Sequence, residues 1–290
     1  MTITDPSVKT IIRIKTGLIG YPLKKSFSPR LFKIFSSRLG GKYSYSLLET
    51  RGAGLARTLE KIKSSGWAGF NVTLPLKEKI LPLLDSLSPE AKAILAVNAV
   101  RIKNGKLEGH NTDAAAVKLA LREAGCRLRG RTCVIWGTGG AARAVAWVMA
   151  SGGIKAVDIH NRSFSRAARL VNHLSGILPR TVFTARKFAA APREGTTLFV
   201  NATPLGMHRP LPANLRFPGP RGSFYLDFAY ARGLTPFLND RTGRVIPGID
   251  LLIYQALKSS ELYGGRHIKA REIVKLKNAI KKGLGIRCPD

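Results

Sequence analysis

The sequence predicts an α/β chain of two domains, the second built on a parallel sheet that binds a dinucleotide. Three observations carry this. At 290 residues the chain is longer than one such unit needs. A strand, glycine turn and helix signature opens only at Thr132, near the middle of the chain. Strand-like and helix-like stretches also alternate on both sides of it.

In the signature, Thr132 to Met149, the apolar run Val134 to Trp136 suits a strand buried on both faces, and Ala141 onward is rich in helix formers. Gly137 permits the tight turn, Gly139 lets backbone N–H groups approach a pyrophosphate, and small Ala142 allows helix and strand to pack closely. The helix N-terminus then faces the phosphates. A plain packing turn can share this pattern. The next strand, Ala156 to His160, adds weight because it runs into Asn161-Arg162-Ser163-Phe164-Ser165-Arg166, without the acid that an NAD ribose would call for. Arg162 and Arg166 suit the 2′-phosphate of NADP, and on a helix beginning near Ser163 they reach it from one side. The alternative is two solvated arginines on a surface helix.

With 44% hydrophobic and 22% charged residues, the composition is that of a globular protein with apolar material for two cores. Met1 to Thr10 is polar and no run of about eighteen apolar residues occurs, which predicts neither signal peptide nor membrane span and a cytoplasmic location. Cys126, Cys133 and Cys288 have no paired spacing and no histidine cluster, which disfavours disulfides and metal. Cys133 reads as a small apolar filler. The 48 Lys and Arg against 17 Asp and Glu give a net charge of +31, which attracts any polyanion. The basic residues are spread along the chain and not interleaved with stacking aromatics, so no specific nucleic-acid function follows. The densest stretch, Arg266 to Arg287, places Ile273, Leu276, Ile280 and Leu284 at helical spacing with Lys275, Lys281 and Lys282 elsewhere around the turn. This is an amphipathic helix packed on a domain, with a membrane-surface or RNA role as the alternative.

In order, Ile11 to Ile19 reads as a strand, and Ser28-Pro29 as the N-cap and first turn of a helix with Leu31, Phe35 and Leu39 on its apolar stripe, closed by Gly40-Gly41. Ser26 and Ser28 offer hydroxyls there to a small carboxylate. Tyr43 to Leu48 is a strand, about Gly54 to Lys63 a helix, and Ala68 to Val72 a third strand. Thr73 and Lys77 follow at its carboxyl end, where ligands bind in open α/β sheets, and a helix is expected from there to Leu84. Ser88-Pro89 caps a short helix. A hairpin begins at Val97-Asn98-Ala99-Val100, turns at Asn104-Gly105 in type I′ geometry, and closes at Gly109 to Asp113. A long helix from Ala114 crosses to the dinucleotide half, whose strands fall at Val134, Val157, Leu198 and Phe224. Asn201 to Met207 is a loop facing the cofactor, and Asp250 to Tyr263 a late helix.

These pieces, in this order, resemble the shikimate dehydrogenases from Gly20 to Gly265. The matching motifs are Ser26-Phe27-Ser28-Pro29, Asn71-Val72-Thr73-Leu74-Pro75-Leu76-Lys77, Ala96-Val97-Asn98, Gly109-His110-Asn111-Thr112-Asp113, the glycine turn through Ala144, Asn161-Arg162-Ser163, and Asn201 to Met207. Tyr230, Thr235-Pro236, Gly248 and Gln255 complete the set. The resemblance implies NADPH-dependent reduction of 3-dehydroshikimate to shikimate in aromatic amino acid biosynthesis. It implies a substrate-binding and catalytic domain over residues 1–113, completed by C-terminal helices returning over 248–290, and a Rossmann NADP-binding domain over 114–247. Ser26, Ser28 and Tyr230 would bind the substrate carboxylate, while Thr73, Asn98, Asp113 and Gln255 would hold the ring hydroxyls. Lys77 and Asp113 would be the catalytic pair. Gly137, Gly139, Gly140, Ala141, Ala142, Asn161, Arg162, Ser163, Arg166, Thr203, Met207 and Gly248 would face NADP(H).

The chemistry suits those roles. Hydride arriving at a ketone carbon builds charge on its oxygen, and a lysine ammonium both stabilises that charge and supplies the proton. The competing reading of Lys77 and Asp113 is an ion pair tying the hairpin to the third strand. The chain departs from the family pattern at Phe27, where many members have Lys, at Phe32, where His is frequent, at Leu95 and Ala114, where Gly is common, and at Ser163, where Thr is usual. Phe27 borders the carboxylate site, which keeps quinate/shikimate and aminoshikimate dehydrogenases as alternatives. A basic nucleic-acid-binding protein on a dehydrogenase fold is the alternative of another class. The small-molecule substrate is the expected partner, with a monomer or homodimer as the expected assembly.

Overall fold

Two six-stranded sheets organise the computed structural model, which describes residues 13–24, 26–39, 42–207, 210–212, 215, 218–231, 233–239, 241–264 and 267–286. The first contains β1 (Arg13–Gly20), β2 (Lys42–Glu49), β3 (Gly69–Val72), β4 (Ser86–Leu87), β5 (Ala99–Lys103) and β6 (Lys106–His110), in the order β2-β1-β3-β5-β6-β4. β1, β2 and β3 are parallel, whereas β5 runs antiparallel to β3 and β6 to β5. The β5–β6 turn has positive φ at both Asn104 (51°) and Gly105 (73°), the type I′ geometry expected of Asn-Gly. Ile11, Ile12, Gly40, Gly41 and Cys288 lie outside the described residues.

The second sheet is wholly parallel: β7 (Thr132–Trp136), β8 (Ala156–Asn161), β9 (Val182–Lys187), β10 (Leu198–Asn201), β11 (Phe224–Asp227) and β12 (Arg244–Ile246). Its order β12-β11-β10-β7-β8-β9 is the doubly wound arrangement, whose ligand crevice opens where the order reverses, at the carboxyl ends of β7 and β10. Six strands replace the four expected. The extra strands lie at the edges, where exposed Val182 and Arg244 weaken the apolar run that marks a central strand.

The helices are α1 (Ser28–Arg38), α2 (Leu55–Lys63), α3 (Pro89–Ile94), α4 (Thr112–Glu123), α5 (Gly140–Ser151), α6 (Phe164–Ile177), α7 (Gly248–Gly264) and α8 (Ala270–Gly283). α7 packs against β1, β3 and β5 of the first sheet as well as against α4. No helix among the described residues is long and apolar enough to cross a membrane.

Four local expectations are corrected. Ser28 is the first residue of α1 and not its cap; Phe27 occupies the cap position, and it is the Ser26 hydroxyl that accepts from the Ser28 N–H at 3.2 Å. No α-helix follows Lys77. Pro82 has no N–H to bond back to Glu78, and the segment closes as turns and a short 3₁₀ helix, Leu81–Leu83. α4 begins at Thr112, two residues before Ala114, because the Asn111 side chain caps it by accepting from the Ala114 N–H. Finally, Lys281 does not face solvent on α8: both Lys277 and Lys281 are buried. Lys277 bonds Glu123 of α4 at 2.7 Å, and Lys281 bonds Asp250 of α7 at 2.8 Å.

Candidate active site

The site assembles at the carboxyl ends of both sheets. β3 ends at Val72 and delivers Thr73, half-buried beside the Gly20 backbone, where an added Cβ would lie 2.4 Å from the Thr73 methyl. Four residues on, Lys77 is held by its carbonyl, which accepts from the Val97 N–H at 2.8 Å. Its Nζ donates to Asp113 Oδ2 at 2.5 Å, with the two side chains only 18% and 7% exposed. Asp113 comes from the first turn of α4, where the helix dipole favours a carboxylate. Its other oxygen, Oδ1, accepts from Asn98 Nδ2 at 2.8 Å.

Asn98 is fixed at both ends of its amide. Its Oδ1 accepts from the Thr112 N–H at 2.6 Å, and its Nδ2 also reaches Thr112 Oγ1 at 2.9 Å and Gln255 Oε1 at 3.5 Å. The network continues from Thr112 Oγ1 to Ser259 Oγ (3.1 Å), to Asn71 Nδ2 (2.8 Å), and from Asn71 Oδ1 to Tyr45 O–H (3.1 Å). Tyr45 in turn shares a hydrogen bond with Ser28, and burial pushes its hydroxyl far above the usual tyrosine range. A polar chain therefore runs from the serine loop to the Lys77–Asp113 pair. Tyr230 joins the serine end, its ring 5.6 Å from that of Phe27 and its hydroxyl pushed up by burial. Phe32 stacks on Tyr45 at 4.2 Å and so braces the same end.

Tyr45, Asn71, Thr112 and Ser259 had no role from sequence. The alternation of Tyr43 and Tyr45 along β2 is the one local signal that a face of that strand turns inward. Ser259 offers none, being one serine on a helix 188 positions from Asn71.

On the other wall, the Gly137 turn leads into α5. A Cβ on Gly137 would lie 2.9 Å from the Ala202 carbonyl oxygen, so the loop after β10 abuts the turn. There Thr203 Oγ1 bonds Asn201 Oδ1 at 2.6 Å, and Met207 stands half-buried. Gly139 is exposed with nothing within 4 Å of an added Cβ, which leaves the start of this 12-residue helix open to an anion. Gly140 is buried instead, an added Cβ falling 2.8 Å from Lys77 Cδ, while Ala141 and Ala142 continue the helix as half-buried and buried residues. The glycine turn and Lys77 are thus in contact.

At the end of β8 stands Asn161, whose side chain donates to the Ser163 carbonyl at 3.0 Å. Ser163 occupies the cap position of α6, so Arg162 precedes the helix and does not share a helical face with Arg166. Both arginines are exposed beside the first turn, and Asn161 puts no carboxylate there to repel a 2′-phosphate. This set fits NADP. Gly248 is buried where α7 begins, and an added Cβ would lie 2.3 Å from the Ala229 carbonyl oxygen, so its first requirement is close packing on the strand that leads to Tyr230.

Residues 18–100 match the family model described as the shikimate dehydrogenase substrate binding domain. A shikimate dehydrogenase (NADP(+)) of Carboxydothermus hydrogenoformans is 32% identical over 283 residues, 94% of this chain and 97% of that protein. Among solved structures, the Thermus thermophilus shikimate 5-dehydrogenase in complex with shikimate superposes with a TM-score of 0.78 at 32% identity, covering 94% of this chain and all of that one. The quinate dehydrogenase of Corynebacterium glutamicum in complex with NAD also reaches 0.78, at 25% identity over 92% and 99% of the two chains. With likeness of sequence and fold extending over nearly its whole length, the chain belongs to the shikimate dehydrogenase family.

Proposed function

We propose that this enzyme reduces 3-dehydroshikimate to shikimate with NADPH, reversibly and in the cytoplasm, and that Lys77 and Asp113 are its catalytic pair. The observation that carries the reading is the short, half-buried Lys77–Asp113 contact lying against the Gly140 turn of the dinucleotide half. Residues 1–113 with 248–290 form the substrate half and 114–247 the cofactor half.

When bound, NADPH supplies a hydride to the ring carbonyl carbon. The Lys77 ammonium stabilises the charge that develops on the carbonyl oxygen and gives it a proton. Asp113 holds that ammonium in place and accepts from the product hydroxyl. Asn98, held by Thr112, orients Asp113 and with Thr73 and Gln255 takes up the remaining ring hydroxyls. Ser26, Ser28 and Tyr230 hold the carboxylate at the far end, where Tyr45 fixes the Ser28 hydroxyl. Arg162 and Arg166 take the 2′-phosphate, and the Gly139 amides the pyrophosphate.

The test is NADP+ reduction by shikimate and by quinate, each with NAD+ as the second cofactor, with Asp113→Asn as control. Turnover with shikimate and NADP+ at the highest kcat/KM supports the reading. A higher kcat/KM for quinate shifts the substrate, and no turnover with either acid overturns it.

A further inference from the structure

The amino edge of the parallel sheet, opposite the cofactor crevice, gathers basic side chains that are scattered in sequence. Arg131, Lys155 and Arg180 precede the adjacent strands β7, β8 and β9, and the backbone stitches them together: Lys155 N–H donates to Arg131 O at 2.9 Å and Val182 N–H to Lys155 O at 3.1 Å. Arg244 opens β12 at the other edge. Its guanidinium lies 5.9 Å from the centre of the Phe224 ring, and that of Arg131 lies 5.2 Å from the same ring. Beside this row, between the ends of α4 and α5, is a groove of about 540 Å³. Leu121, Leu128 and Val148 form its floor, and Lys118, Arg122 and Arg127 stand on its rim with no acidic residue among the lining. Of the acids nearby among the described residues, Glu123 is engaged by Lys277, which leaves Glu194, exposed in the turn before β10.

We propose that this edge and groove form a binding site for the phosphate backbone of duplex nucleic acid, read without regard to sequence. Six strands at about 4.8 Å give the edge a width of about 24 Å, comparable to the girth of a duplex. Among the described residues, the aromatic faces here are already covered by cations, Phe224 by Arg131 and Arg244 and Trp147 by Lys118 at 4.5 Å, so these rings offer no open platform for unstacked bases. That favours the backbone of a duplex over a single strand. The five-residue β7 separates this edge from Gly137 by about 16 Å, so duplex and cofactor occupy opposite ends of the sheet.

Fluorescence anisotropy of a labelled 20-base-pair duplex, measured across a salt series, tests the site on the full chain. In one variant Arg122, Arg127, Lys155 and Arg180 are each changed to Gln; in the other, with the same net charge, Lys61, Lys63, Lys103 and Lys106 are. The expected result is at least tenfold weaker binding for the first and a salt slope shallower by about two to four, at roughly 0.9 for each phosphate no longer neutralised, with the second within twofold of wild type. Wild-type turnover with shikimate in both confirms intact folding. Equal weakening of the two variants, or no duplex binding by the wild type, overturns the site.

Discussion

An added Cβ at Gly140 would stand 2.8 Å from Cδ and 3.0 Å from Cβ of Lys77, so the first residue of α5 touches the lysine that pairs with Asp113. The near part of that lysine, fixed through the Val97 N–H, has little room to give. Gly140→Ala is therefore expected to displace the ammonium and lower kcat about 10- to 100-fold, because a misplacement of an ångström has that effect. The same overpacking should lower the midpoint of thermal unfolding by a few degrees; wild-type kcat would show that the contact is slack.

Removing the ammonium itself is the harsher change. Lys77→Ala should lower kcat by about 10²- to 10⁴-fold, the usual worth of a general acid, with KM for shikimate much less affected. A KM effect alone would leave Lys77 a binding residue.

Arg162→Ala and Arg166→Ala should each weaken NADP+ by roughly 10- to 100-fold, the equivalent of about 1.5–3 kcal/mol for a charge-assisted bond, and leave NAD+ nearly unchanged. Calorimetric titration with both cofactors and with 2′-AMP reads this directly.

Two buried groups bias stability against pH in opposite senses. Burial raises the Asp227 carboxyl to about 7, against the pull of its donors Asn201, Ala229 and Thr235. Folded chains then hold a proton that unfolded ones have released, so this group's contribution falls as pH rises from about 4 to 7. Burial lowers His160 to about 4, so unfolded chains bind the extra proton and stability rises with pH from about 4 to 6.5. Urea unfolding at stepped pH should show Asp227→Asn tilted toward greater relative stability at pH 7, and His160→Phe toward greater relative stability at pH 4.

Lys277 meets Glu123 at 2.7 Å and Asp250 at 3.3 Å, joining α8 to α4 and α7. Lys277→Ala leaves those carboxylates short of a partner, at a cost on the order of 3 kcal/mol, and the midpoint of thermal unfolding should drop by several degrees.

What the sequence made legible was local. The Gly137 turn, the Asn104-Gly105 hairpin and the Ser88 cap each rest on a few neighbouring residues whose backbone demands are written in their side chains. The helix expected after Lys77 failed on one such demand, at Pro82, outweighed by the apolar spacing around it. Tyr45, Ser259 and Lys281 were illegible for another reason. Each acquires its role from a partner brought close only by the fold, and nothing in the neighbouring residues of Ser259 marks it as the link between Asn71 and Thr112.

Because α7 supplies Ser259 to that link and sets Tyr263 against Gly69, where an added Cβ would fall 2.3 Å from its ring, the opening third of the polypeptide waits on its closing segment for a finished interior. During synthesis the parallel sheet emerges ahead of α7 and α8, yet α4 packs on α7 and its Glu123 bonds Lys277 of α8, so this half too completes its packing last. The first sheet must stay half-covered until more than a hundred further residues have been made, so a chain cut before Gly248 would lack both the Ser259 link and the cover that α7 gives β1, β3 and β5.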